Sequence, residues 1–199
     1  MEPPVEAAKD RTKPAIGFLT VIEHPQHGLF GGYLILNFAG RPIEFHCTAP
    51  VKPNRAQQIL YGPTLDAFLY GEQIGATLLG HAKTNPLAIC TDREPALALG
   101  DLTDLPVALV LPPEEVPVAG PTSVPPGGQI VLRLDAAHRH PPRLCTFELG
   151  RNRLALARGG EEHRQRFTQQ LAAAAESFDL WEPFTRIREA IEEAQQAAR

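Results

Sequence analysis

Two short runs without a polar face constrain this chain most. Pro86-Leu-Ala-Ile-Cys90 and Pro106-Val-Ala-Leu-Val-Leu111 are apolar throughout. Runs of this length suit interior strands covered on both faces. They call for a sheet with helices packed on both sides of it.

The segments before them supply those layers. Ala15-Ile-Gly-Phe-Leu-Thr-Val-Ile22 is β-rich, and Pro25 and Gly28 in the stretch HPQHG break it. Leu29 to Leu36 and Arg41 to Thr48 form a predicted hairpin around Asn37-Phe-Ala-Gly40, where the glycine can take positive φ. Ile43, Phe45 and Cys47 alternate with Pro42, Glu44 and His46, so the apolar three are expected to face a core. Beyond Pro50 and Pro53, Asn54 is a good N-cap for a short helix, Arg55 to Tyr61, which Gly62-Pro63 stops. Thr64 can cap a longer helix from Leu65 to about Ala82, striped by Leu65, Phe68, Leu69, Ile74, Leu78 and Leu79. Gly71 and Gly75 in that helix read as places for close packing on the sheet. Thr91-Asp92 leads into a helix around Glu94 to Leu99.

Residues 112–128, PPEEVPVAGPTSVPPGG from Pro112 to Gly128, look like a semi-rigid linker or long surface loop. After it, Gln129 to Leu134, Leu144 to Leu149 and Arg153 to Ala157 read as strands, with Gly150 and Asn152 marking a turn. Phe167, Leu171, Ala174 and Phe178 stripe one terminal helix; Trp181, Phe184, Ile187, Ile191, Ala194 and Ala198 stripe another. The expected fold is therefore α+β with an α/β-like core. A frayed arm (1–14) precedes a mixed sheet with flanking helices (15–111). After the linker comes a smaller unit of a β-hairpin and two helices (129–199), which could continue the same sheet.

Composition excludes some functions. With 199 residues, 43% of them hydrophobic, the chain can bury a core unaided. A net charge of -4 provides no basic field for a phosphate backbone, so nucleic acid is not the expected partner. The locally basic AHRHPPR is too short to alter that. Three scattered cysteines do not make a disulfide framework, which points to a reducing cytoplasm. No apolar run approaches the roughly 20 residues that span a bilayer, so a soluble protein without membrane attachment is expected. The polar N-terminus has no secretory h-region.

Three groups of side chains could carry chemistry. His24 and His27 sit three apart in a loop, and His46 lies on the polar face of a strand. Three imidazoles, with Glu44 or Asp92 completing the set, could hold zinc and leave an open position. Their spacing matches no zinc signature. Cys90 ends an interior strand beside Asp92, at the sheet edge that ligands prefer in open α/β folds, and a histidine could activate its thiolate. Lys52 and Arg55 flank Asn54 at a helix start and could bind an anion. Glu72, in mid-helix, could act as a base if it faced the sheet. Phosphate-loop, dinucleotide and nucleophile-elbow motifs are absent.

The order hairpin, helix, strand, helix, strand, over about Leu29 to Leu111, resembles the core of the cytidine-deaminase-like fold. That family's zinc motif is H-x-E with P-C-x-x-C. PLAICTD holds one cysteine and no partner three residues on, so no zinc ligand is carried over. Without a catalytic signature, the leading expectation is a non-enzymatic binding or assembly subunit, a homodimer or a subunit docking a protein partner through the C-terminal helix with Trp181 and Phe184. The alternative is a small metal- or cysteine-dependent hydrolase or transferase using His24, His27, His46, Cys90 and Asp92.

Overall fold

The computed structural model describes residues 14–113, 144–157 and 161–197. The N-terminal arm, nearly all of the Pro/Gly-rich connection, the strand expected at Gln129 to Leu134 and the basic loop with His138 and His140 lie outside them.

One mixed sheet organises the described residues. Its strands are β1 (Ala15–His24), β2 (Gly28–Asn37), β3 (Pro42–Cys47), β4 (Ala88–Thr91), β5 (Val107–Val110), β6 (Cys145–Leu149) and β7 (Asn152–Leu156). Their order across the sheet is β3-β2-β1-β4-β5-β7-β6. β1, β4 and β5 run parallel at the centre, and antiparallel pairs flank them on each side. The two apolar runs are thus the interior strands β4 and β5, buried at every position. Leu109 pairs with Ala155, so the hairpin after the Pro-rich connection continues the same sheet.

Each face of the sheet is covered. On one lie α4 (Glu161–Ser177) and α5 (Glu182–Ala197), which bury Phe167, Leu171, Phe184, Ile187 and Ile191 against Phe18, Leu34, Cys90 and Leu154. On the other lie three consecutive segments: α2 (Leu65–Ala67), a π-helical stretch (Phe68–Gly75) and α3 (Ala76–His81). A 3-10 helix (Glu94–Asp101) packs beside them. Ile74, Leu78 and Leu99 meet Leu19, Ile35 and Ile89 there. The short α1 (Arg55–Tyr61) precedes this layer, with Asn54 and Gln57 closing a capping box. Thr64 does not cap α2; its hydroxyl donates back to the Tyr61 carbonyl at 2.8 Å.

Glycines set how closely the layers approach. A Cβ at Gly71 would stand 2.8 Å from the Ala98 Cβ and the Leu99 nitrogen, so the π segment can lie directly on the 3-10 helix. Gly31 and Gly32 of β2 face opposite sides. A Cβ on the first would overlap Ile74, and one on the second would overlap Ile187.

The outermost hairpin departs from expectation. Ile43, Phe45 and Cys47 share one face of β3, but that face is not in the core: Ile43 is 45% exposed, Phe45 is 39% exposed, and Cys47 is exposed as well. The reason lies in the span of α5. It packs chiefly on β1 and β2 and meets the β2–β3 turn through Arg186, whose Nη1 donates to the Gly40 carbonyl at 2.9 Å. Cys145 is likewise exposed, at the start of the opposite edge strand, β6. On β6 itself Phe147 and Leu149 are buried under α4.

Candidate functional site

His24 and His27 lie together at the β1–β2 turn, and His46 does not join them. His24 ends β1, and its Nδ1 accepts from the backbone N–H groups of Gln26 and His27, each at 3.2 Å. An Nδ1 that accepts leaves the ring proton on Nε2. The His27 ring lies 4.5 Å from that of His24, centroid to centroid. His46 is elsewhere. His24 is paired with Gly28 and His46 with Tyr33, five residues apart on β2. At about 3.4 Å per residue that separation is roughly 17 Å. Among the described residues, no group of three or more His, Cys, Asp and Glu side chains is placed to hold a metal ion.

His46 has its own partner. Its Nε2 lies 2.8 Å from Glu44 Oε1, on the face of β3 that looks toward the end of α3. Glu44 also accepts from the backbone N–H groups of Lys83 and Thr84, at 2.9 and 3.0 Å. Burial acts to raise the Glu44 pKa, but the hydrogen bonds from Lys83, His46 and Thr84 outweigh it and lower the value to about 2. Glu44 therefore pins the loop after α3 to the edge strand.

Cys90 and Asp92 lie at the carboxyl end of β4. Cys90 is fully buried among apolar side chains beneath α4 and α5, and burial pushes its thiol pKa up. A raised pKa is the reverse of what a nucleophilic thiolate needs. The Asp92 side chain is 1% exposed and ion-paired with Arg188 of α5. The Arg188 guanidinium also lies 6.0 Å from the centroid of the Trp181 ring. Asp92 thus ties α5 to the sheet, while the N–H of Arg93 is taken by the Thr91 hydroxyl at 3.2 Å.

Lys52 and Arg55 are engaged separately. Lys52 Nζ donates to the Gln26 carbonyl at 2.6 Å, bracing the β1–β2 turn. Arg55 Nη1 reaches Gln58 Oε1 at 3.5 Å. Glu72 is exposed.

Two features escaped the sequence reading. The first is a cleft of about 550 Å³ beside the β1–β2 turn, lined by Glu23, His24, Leu29, Leu65, Asp66 and Tyr70 among others. Tyr70 donates its hydroxyl to Glu23 Oε1 at 2.5 Å, and burial followed by that hydrogen bond pushes its phenol pKa up. Glu23 and Tyr70 are 47 residues apart, and neither belongs to a motif. The second is the uncovered face of β3. Among the described residues β3 pairs with β2 alone, through every residue from Pro42 to Cys47 but Ile43, so it is an edge of the sheet they form. Pro42 and a register shift at Ile35/Leu36 blunt one end of that edge. From Ile43 to Cys47 it carries no lysine or proline. Its own period-two pattern was visible, but not its position at the rim.

No protein-family model matches this chain, and no curated protein matches it either. Among the described residues, no helix is long and apolar enough to cross a membrane.

Proposed function

We propose that this chain is a non-enzymatic binding or assembly subunit that engages its partner along the β3 edge. One observation carries the reading: an edge strand with unpaired backbone groups that also presents Ile43 and Phe45 to solvent. Edge strands with such groups exposed are templates for pairing with another chain. The apolar stripe of α5, Phe184, Ile187 and Ile191, is packed on the chain's own sheet. That favours β3 over the C-terminal helix as the docking surface. The alternative, a metal- or cysteine-dependent hydrolase or transferase, has less support, because its candidate residues are dispersed and individually engaged.

The test is the mass of the native protein in gently lysed cells that make it, compared with a Phe45→Lys variant expressed in its place. We expect the wild type to elute well above its monomer mass and the variant to fall back toward it. A wild-type protein that elutes as a monomer would remove the basis for the reading.

A further inference from the structure

We infer that the β3 edge pairs with a second copy of itself, antiparallel about a two-fold axis, with Phe45 on the axis. The inference rests on the assembly reading above and adds the identity of the partner and the register. In an antiparallel pair, directly opposed residues share a face, so a two-fold pairing must oppose residues whose numbers add to an even sum. The strand Pro42-Ile-Glu-Phe-His-Cys47 offers three central choices. Centring on Glu44 sets its carboxylate against the same carboxylate of the second copy, a like-charge pair that destabilises a ladder. Centring on His46 opposes two imidazoles and moves Ile43 opposite Ala49, beyond the strand. Centring on Phe45 avoids both outcomes.

In that register Phe45 meets Phe45 of the second copy, and Ile43 meets Cys47 on either side. All three exposed apolar side chains of each copy are then paired on one face. On the other face Glu44 stands opposite His46 twice, so the acid–imidazole pairing present within each strand at 2.8 Å recurs between strands. Pro42, which has no N–H to donate, falls opposite Thr48 and so outside the ladder core. The strand is thus self-complementary in charge and in apolar pattern, as an isologous interface requires. α5 packs chiefly on β1 and β2, and Ile43 and Phe45 stay exposed beside it.

The experiment uses the full chain. Sedimentation velocity from nanomolar to high micromolar concentration should show a reversible dimer. Phe45→Lys places two ammonium groups on the axis and should weaken the dimer by about a hundredfold or more, as for the central residue of an interface. Phe45 is partly exposed, so the variant should keep the wild-type circular dichroism and unfold at the midpoint of wild type diluted to monomer. Register is read separately in a Cys145→Ser background. There, Ile43→Cys should give an oxidised covalent dimer only while Cys47 is retained, and adding Cys47→Ser should abolish it. A purified wild type that remains monomeric, a dimer indifferent to Phe45→Lys, or a cross-link independent of Cys47 would each overturn the inference. If the purified chain is monomeric but the native form is heavy and collapses on Phe45→Lys, the second-copy inference alone fails and the assembly reading stands.

Discussion

At the scale of single residues, the three cysteines should separate cleanly by environment. Cys90 is fully buried with its thiol pKa raised, whereas Cys47 and Cys145 are exposed. We expect a thiol reagent at mildly alkaline pH to label Cys145 quickly and Cys90 only after denaturant is added. Labelling of Cys47 should slow as protein concentration rises. Rapid labelling of Cys90 in the folded protein would show that the core beneath α4 and α5 is not closed. Tyr33 offers a second check. Its hydroxyl is buried with no hydrogen-bond partner among the described residues, and burial raises its pKa further. A buried polar group without a partner carries a desolvation cost. Tyr33→Phe should therefore leave stability unchanged or raise it by up to about 1 kcal/mol in chemical denaturation.

Glu44 gives the pH dependence. Its folded pKa of about 2 lies below the ordinary 4.5, so the folded state favours the ionised form. Its stabilising contribution is complete above pH 4.5 and is lost as pH falls toward 2. Glu44→Gln should cost roughly 1.5–3 kcal/mol at neutral pH, the range for hydrogen bonds to a charged group. The gap to wild type, followed by urea titrations across the acid range, should close between those two pH values. A constant gap would mean that Glu44 is not held ionised by Lys83, Thr84 and His46.

At the scale of elements, what separates legible from illegible is whether a property belongs to one segment or to two. β1, β2, β4, β5 and the stripe of α5 could be read from the sequence because a run of apolar residues, or its period, states how much of a segment must be buried. The burial of β3 could not be read. Its alternation shows that Ile43, Phe45 and Cys47 share a face, but whether a helix covers that face depends on where α5 comes to rest. The Asp92–Arg188 pair was hidden for the same reason, since it joins residues 96 positions apart. The candidate metal set failed to gather because His46 sits five residues along β2 from the pair that holds His24.

Two of these inter-element contacts can be tested directly. Arg188→Ala should destabilise by about 3–5 kcal/mol, because it strands a carboxylate that is 1% exposed. Adding Asp92→Asn should recover a substantial part of that loss in a double-mutant cycle. Gly32→Val places atoms where Ile187 packs, and overpacking of this kind should cost roughly 1–3 kcal/mol or more. A neutral Gly32→Val would mean that α5 is not seated on β2 as described.

At the scale of the whole molecule, the fold treats its two sheet edges differently. On β6, Phe147 and Leu149 are covered by the chain itself. On β3, among the described residues, the apolar face and the backbone edge are open together. A monomer with this edge would carry an aggregation hazard, whereas one that pairs it has an interface. Hydrogen exchange tests that claim most directly, by following the amides of residues 43–47 in dilute and concentrated full-length protein. We expect their exchange to slow markedly with concentration, while β4 and β5 stay protected throughout. Exchange at β3 that is fast and independent of concentration, in the purified protein and in the native form alike, would contradict the assignment of this edge as the working surface of the molecule.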